Sequence, residues 1–166
     1  MITTEHRADG RQIRHRVCAR VLPVNPQGEV LLLHGWDPAA PDEPYWFSIG
    51  GAIDAGETLV DAAVREMREE TGILIRPAEL SKPIAQEDAE FDWGTWRLVQ
   101  DQTYFALALT SDPATISFEG LEPLERTSID AAAWWTPDDL EADGTAAGVR
   151  LPEIMREAVR TIRGEG

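Results

Sequence analysis

Apolar and polar residues alternate along the first third of the chain in a way that predicts strands. The apolar runs at residues 13–24 and 30–33 flank Asn25-Pro26-Gln27-Gly28, which is strong turn chemistry, so we predict a β-hairpin there. Residues 37–44 contain three prolines and are predicted to form a loop. A short strand at residues 45–49 is predicted to lead into a glycine pair.

After the glycine pair the apolar spacing changes to that of a helix. Thr58 followed by Asp61 fits a capping box, and Gly72 fits a C-terminal stop, so we predict one amphipathic helix between them. Residues 73–75 then form a short predicted strand, which Arg76-Pro77 ends.

The second half of the chain is predicted to begin with two long strands. Residues 82–92 and 96–109 flank Trp93-Gly94-Thr95, and the second strand is apolar on both faces, which is typical of a central strand. A polar stretch at residues 110–130 follows. The remaining predicted elements are a strand, a helical turn and a closing helix, at residues 131–135, 137–141 and 151–162.

Length and composition favour a single globular domain. The chain has 166 residues, 43% of them apolar, with six tryptophans, and its strands and helices intermix without a linker. We therefore predict an α/β class with a mixed sheet, with one domain at residues 11–166 after a flexible tail at residues 1–10. No apolar run approaches the ~20 residues that span a bilayer. The N-terminus lacks a signal-like segment, and the lone Cys18 favours a reducing cytoplasm.

Charge is distributed unevenly along the chain. The net charge of −15 argues against nucleic-acid polymers and anionic membranes as partners, yet residues 1–20 carry five arginines against Glu5 and Asp9. On a strand, Arg14, Arg16 and Arg20 share one face, and arginine forks suit phosphate oxygens. We predict phosphate binding there, and the alternative is an ordinary exposed strand face.

Three glutamates lie on one face of the predicted helix. Because a helix advances about 100° per residue, Glu66, Glu69 and Glu70 fall within an arc of roughly 100°. Clustered carboxylates repel one another unless a cation lies between them. Oxygen ligands at this spacing predict a site for a hard divalent cation. The alternative is a solvated acidic helix face.

The same segment resembles the signature of the Nudix hydrolases, G-x5-E-x7-R-E-U-x-E-E-x-G-U, in which U is aliphatic. Each constrained position is filled, with Met67 as a mild departure at the first U. The matching residues are Gly51, Glu57, Arg65, Glu66, Met67, Glu69, Glu70, Gly72 and Ile73. This signature, the Nudix box, covers 23 residues, and the glycine pair before it and the Trp-Trp strand near the C-terminus are also similar to the family.

The resemblance implies an α/β/α sandwich and a catalytic centre that uses Mg²⁺ or sometimes Mn²⁺. It implies that Glu66, Glu69 and Glu70 bind the metal, with the backbone carbonyl near Gly50 as a further ligand. Glu66 is alternatively the group that orients or deprotonates the attacking water. Arg65 lies four residues from both Asp61 and Glu69 and is expected to orient the carboxylates. Glu57 is expected to tie the preceding loop to the helix N-terminus.

Several further residues are candidates for the site. Family members often use another glutamate as a metal ligand or general base, and Glu125, ahead of Glu122 and Asp130, is our choice for it. Trp46 and Phe47 precede the glycine pair and are candidates to stack on a nucleobase, with core packing as the alternative.

The resemblance implies hydrolysis of a nucleoside diphosphate linked to another group, a small-molecule substrate. We favour nucleoside triphosphates, which would yield a monophosphate and pyrophosphate. ADP-ribose or a nucleotide sugar is the alternative, although Asp88 and Ala89 stand where ADP-ribose-specific relatives often carry proline. A non-catalytic nucleotide sensor and an acidic interaction protein are the other classes, but sensors usually lose a box glutamate and this chain keeps all of them. Family members are often dimers, so a homodimer is one of the oligomeric states expected for this chain.

Overall fold

The computed structural model describes residues 2–6, 12–110 and 116–164. These residues form eight strands and four α-helices, with a single 3-10 turn at Pro77–Glu79. The strands are β1 (Ile2–His6), β2 (Gln12–Val24), β3 (Val30–Asp37), β4 (Ala40–Phe47), β5 (Ile49–Ala52), β6 (Leu80–Trp93), β7 (Trp96–Ala108) and β8 (Ile129–Trp135). The helices are α1 (Leu59–Thr71), α2 (Pro123–Arg126), α3 (Pro137–Asp143) and α4 (Leu151–Arg163).

The sheet is mixed and forks at β2. Its order is β4-β3-β2-β7-β6, with β7 between β2 and β6 as predicted for a central strand. β2 and β7 run parallel, whereas the other pairs are antiparallel. β3 touches β2 only at the pair Val24 and Val30, and β5 takes the position beside β2 from Cys18 to Val21. This fork positions the glycine pair of β5 beside α1, where Gly51 faces Glu66 and the Gly50 amide donates to Glu70.

Two buried clusters hold helices against opposite faces of the sheet. On one face, Ala63 and Met67 of α1 pack in a cluster with Val21 and Phe105. On the other, Met155 of α4 packs in a second cluster. The sheet therefore lies between helical layers, and the predicted α/β/α sandwich is confirmed. No helix among the described residues is long and apolar enough to cross a membrane.

The segment at residues 37–44 is a hairpin, so the loop prediction is wrong for most of it. β3 continues to Asp37 and β4 begins at Ala40, leaving only a two-residue turn. Pro41 and Pro44 lie in β4, which is at the edge of the sheet: it pairs with β3 on one side and has an isolated bridge from Trp46 to Ala146 on the other. Edge strands accept proline because one side of the strand needs no N–H donors.

Two other local predictions also differ from the structure. Residues 2–6 form β1 and pair with β2, where we predict a flexible tail; residues 7–11 lie outside the described part. Residues 73–75 form no strand. Ile73 and Ile75 pack against the α1 core while Leu74 is 78% exposed, so their alternation reflects docking on the core without a strand partner.

Candidate catalytic site

Helix α1 begins and ends where the sequence predicts. Thr58 Oγ1 accepts from the Asp61 amide at 3.1 Å, and Asp61 Oδ2 accepts from the Thr58 amide at 3.1 Å, which completes the capping box. Gly72 ends the helix with a φ of 77° and donates to Arg68 O. Both termini are therefore fixed, and the side chains on the glutamate face are held in register.

Glu66 and Glu70 form a buried pair beside the glycine pair of β5, Gly50 and Gly51. Their exposed fractions are 7% and 1%, and Glu70 Oε2 accepts from the Gly50 amide at 3.3 Å. Burial, followed by the charges of Glu66 and Glu125, raises the pKa of Glu70 well above its usual range. Glu69 is more exposed, and burial and the Glu66 charge raise its pKa as well. The site thus concentrates negative charge in a poorly hydrated place.

Gly51 faces the Glu66 carboxylate directly. A Cβ atom at Gly51 would lie 2.6 Å from Glu66 Oε1, so the missing side chain is the space that the carboxylate occupies. At Gly50 a Cβ atom would lie 2.1 Å from the backbone oxygen of Ala19, and φ is +144°. Both glycines are needed, the second for the carboxylate and the first for the backbone itself.

Arg65 ties the carboxylates to the loop before the helix. Its Nε and Nη2 donate to Glu57 at 2.8 and 2.9 Å, and Nη2 also donates to Ala52 O at 3.0 Å. Its Nη1 donates to Glu66 Oε1 and Glu69 Oε2, both at 3.0 Å. We expected Arg65 to reach Asp61, but Asp61 is used in the helix cap and Glu57 takes its place. The guanidinium fork therefore orients two carboxylates and is itself oriented by Glu57.

Glu57 links this network to the loop. Its Oε1 accepts from the Asp54 amide at 2.8 Å. The hydrogen bonds from Arg65 are the main reason that the pKa of Glu57 is lowered. The side chain thus joins the loop to the helix, which is the arrangement that the sequence predicts for it.

The three arginines of β2 have different surroundings. Arg14 stacks on the Trp96 ring, with 3.4 Å between its guanidinium carbon and the ring centroid. Arg16 is partly buried, and this burial lowers its pKa. Arg20 instead donates to Gln102 Oε1 and to the carbonyls of Ser48 and Gly50. Arg20 is therefore engaged by the protein itself, contrary to the idea of one shared phosphate-binding face.

Glu125 is the acidic residue outside the box that joins the cluster. Burial, then the charges of Glu66, Glu122 and Glu69, raises its pKa, against the backbone hydrogen bond at Glu122 that lowers it. Glu122 is exposed. Asp130 is directed elsewhere, since its Oδ1 lies 2.5 Å from His34 Nδ1.

Trp46 and Phe47 pack within the protein on opposite faces of β4. The Trp46 ring lies 5.4 Å from Trp135 and 4.7 Å from His34, between ring centroids. The Phe47 ring lies 5.8 Å from Tyr45. These contacts match the core-packing alternative for both rings.

Sequence reasoning missed two supporting features. Gly120 lies against the backbone of α1, where a Cβ atom would be 2.7 Å from Glu69 O. Gln102 accepts from Arg20 in the fork of the sheet. Neither had a local signal, because both depend on contacts between segments that are far apart in the chain.

A family model supports the assignment that the box suggested. The model described as the NUDIX domain matches residues 14–154. The chain belongs to the Nudix hydrolase family.

Relatives agree with this membership, and a solved structure shares the fold. The Nudix chain is 31% identical over 144 residues to an RNA pyrophosphohydrolase of Erythrobacter litoralis, which covers 80% of this chain and 83% of that protein. It is 33% identical over 122 residues to an RNA pyrophosphohydrolase of Novosphingobium aromaticivorans, covering 67% and 73%. The crystal structure of a MutT protein from Methanosarcina mazei matches with a TM-score of 0.62 at 17% identity, covering 90% and 96%, and shows the common fold.

The donor set of this Nudix hydrolase suits a hard divalent cation. Glu66 and Glu70 are buried carboxylates close to each other, and Arg65 contacts only one oxygen of Glu66 and one of Glu69. No three His, Cys, Asp or Glu side chains of the described ranges are already grouped as a ligand set. The chemistry of the donors is nevertheless that of an oxygen-ligand site, since a cation stabilises carboxylates that are buried close together.

Proposed function

We propose that this Nudix hydrolase is a Mg²⁺-dependent pyrophosphohydrolase that converts nucleoside triphosphates into monophosphate and pyrophosphate, with Mn²⁺ as a substitute metal. The observation that carries the proposal is the buried pair of Glu66 and Glu70 beside the glycine pair of β5. Two carboxylates with so little water around them are costly unless a cation is bound in the working enzyme.

The proposed roles follow from the contacts of each residue. Glu66, Glu69 and Glu70 would hold the metal with the Gly50 carbonyl. A bound divalent cation neutralises phosphate oxygens and lowers the pKa of water. Arg65 keeps the Glu66 and Glu69 carboxylates in place through its two 3.0 Å hydrogen bonds.

Glu125 is our proposed proton acceptor for the attacking water, with service as an extra metal ligand as its alternative role. Its pKa is raised, and a carboxylate whose pKa lies closer to the working pH is a better general base. Glu122, whose side chain is exposed, stays the second choice.

Arg14 and Arg16 are the proposed phosphate contacts. Their Nε atoms are buried without a hydrogen-bond partner among the described residues. Arginine Nε and Nη groups bind phosphate oxygens in pairs, so an anionic ligand would supply acceptors that the protein does not.

A turnover screen tests this function. We would measure pyrophosphate and phosphate release from nucleoside triphosphates, ADP-ribose, nucleotide sugars and dinucleoside polyphosphates, with Mg²⁺ or with chelator. Glu70→Gln should lower kcat by more than about 100-fold, because losing a ligand should exceed the 10- to 100-fold effect of losing an outer partner. Glu153→Gln is the matched control, since the Glu153 side chain is 71% exposed on α4. Turnover that is equal with and without metal, or unchanged in Glu70→Gln, would exclude the proposed centre.

Hydrolysis at the 5′ end of RNA is the second candidate function. Two relatives above 30% identity carry the name RNA pyrophosphohydrolase, whereas the net charge of −15 disfavours a nucleic-acid polymer. The same assay with a 5′-triphosphorylated RNA oligonucleotide beside ATP separates the two. If kcat/KM is higher for the oligonucleotide than for ATP, RNA is the substrate and not the mononucleotide. A nucleotide sensor predicts binding without turnover of any compound.

A further inference from the structure

Arg20 of β2 is joined to the start of β5 across the fork of the sheet. Arg20 pairs with Gly50 in the antiparallel register of β2 and β5. Its Nη1 donates to two backbone carbonyls at the start of β5, Ser48 O at 3.3 Å and Gly50 O at 3.0 Å. Its Nε donates to Gln102 Oε1 on β7 at 2.9 Å. The guanidinium of Arg20 therefore connects the start of β5 to β2 and β7.

The backbone at Gly50 needs such support. Gly50 has a φ of +144° and lies so close to β2 that a Cβ atom would be 2.1 Å from Ala19 O. Glycine tolerates this conformation but has many others available, so glycine alone does not define the position of its carbonyl. A rigid planar donor that bonds the carbonyls on both sides of Ile49 restricts them to one geometry.

Gly50 also carries the connection onward to the carboxylates. While its carbonyl accepts from Arg20, its amide donates to Glu70 Oε2 at 3.3 Å. A carbonyl oxygen has two lone pairs, so the bond from Arg20 leaves one free. Displacement of Gly50 would therefore move both its carbonyl, in the peptide group to Gly51, and its amide, in the peptide group from Ile49, which donates to Glu70.

We propose that Arg20 is a positioning residue that holds the backbone on both sides of the Ile49–Gly50 peptide group, and through the Gly50 amide Glu70, in the arrangement that binds the metal. This inference rests on the proposed function for its catalytic consequence. It differs from phosphate binding by Arg20, because the guanidinium is committed to three protein acceptors.

Arg20→Gln and Arg20→Lys test the proposal, with Arg156→Gln as the matched control. Arg156 donates to Asp138 and Glu141 at the surface, and its loss leaves the hydrogen bonds of Arg20 intact. Circular dichroism and melting curves check the fold of each variant. Three quantities are then compared: amide hydrogen exchange of Gly50 in metal-free protein, the Mn²⁺ dissociation constant by calorimetry, and kcat with KM.

The positioning role predicts a specific combination of results. Arg20→Gln should speed exchange of the Gly50 amide by about tenfold. It should also raise the Mn²⁺ dissociation constant by about tenfold and lower kcat, while KM changes less than about twofold. For Arg20→Lys, each of these quantities should fall between those of wild type and Arg20→Gln. A lysine ammonium can donate to a carbonyl but cannot reproduce the planar set of donors of the guanidinium. Arg156→Gln should match wild type.

Opposite outcomes would overturn the proposal. A raised KM with unchanged Mn²⁺ affinity and unchanged exchange would make Arg20 a substrate contact instead. Wild-type exchange at Gly50 in a folded Arg20→Gln would remove the positioning role outright. If Arg20→Gln does not fold, the exchange rate in Arg20→Lys decides. Failure of the wild-type protein to bind Mn²⁺ or turn over any nucleotide would instead refute the proposed function, while Gly50 exchange still tests the contact.

Discussion

Replacing Gly51 by alanine would place a methyl group 2.6 Å from Glu66 Oε1. Gly51 does not have a positive φ, so its backbone accepts alanine, and the conflict is with the end of a side chain. To reach an ordinary contact of 3.4 Å, the carboxylate must retreat by about 0.8 Å. The perturbation therefore displaces one proposed metal ligand and leaves the chain direction unchanged.

Gly51→Ala is expected to lower both the rate and the stability, by free energies of similar size. A misplacement of about 1 Å can cost on the order of 100-fold, so we expect kcat to fall by about 100-fold, or ~2.7 kcal/mol in activation free energy. Added volume at a packed site costs about 1–3 kcal/mol of unfolding free energy. Saturating kinetics with Mg²⁺, together with urea denaturation, measures both quantities.

A double-mutant cycle with Glu66→Asp tests whether the methyl group acts through Glu66. Aspartate is one methylene shorter, so its carboxylate would be withdrawn from the methyl group. Gly51→Ala should then cost much less in the Glu66→Asp background than in wild type. An equal cost in both backgrounds, or a Gly51→Ala protein with wild-type kcat, would refute the reasoning.

Three further predictions concern the helix and its loop. Arg65→Lys should lower kcat by about 10- to 100-fold at saturating Mg²⁺, because lysine cannot replace the fork that bonds Glu57 and two further carboxylates; an unchanged kcat would contradict this. Met67→Ala should lower the free energy of unfolding in urea by about 2–5 kcal/mol through a cavity in the α1 core, whereas the control Leu74→Ala should change it by less than about 0.5 kcal/mol. Since the pKa of Glu57 is lowered by Arg65, its stabilisation is present above the ordinary glutamate pKa and is lost as the pH falls through the lower folded value. Glu57→Gln should therefore lose less unfolding free energy than wild type between about pH 5 and about pH 3, and a parallel loss would argue against the Glu57–Arg65 contact.

Local interactions explain why α1 could be predicted so well. The capping box of Thr58 and Asp61 and the stop at Gly72 depend on residues within one helical turn of each other. The apolar stripe that includes Met67 obeys the same short-range periodicity. The family signature lies in this segment too, so both the fold class and the family follow from residues that are neighbours in the sequence.

Pairing between strands explains most of the errors. β1 exists because β2 offers it an edge, and β4 can contain Pro41 and Pro44 because it is itself an edge. By contrast, Ile73 and Ile75 have strand-like alternation but find no partner strand. Whether an extended segment becomes a strand is decided by what lies beside it, and this information is absent from local propensity.

The sequence by itself determined the Nudix helix, the set of carboxylates on its face and the supporting Arg65, because helical geometry converts residue spacing directly into positions in space. Only the tertiary structure separated Arg20 from Arg14 and Arg16. The three arginines alternate identically along β2, yet the fork of the sheet brings Ser48, Gly50 and Gln102 around Arg20 alone. Likewise, the structure distinguished the half-buried Glu125 from the exposed Glu122. Strand periodicity specifies which face a side chain is on, whereas its partners depend on segments that meet only when the chain has folded.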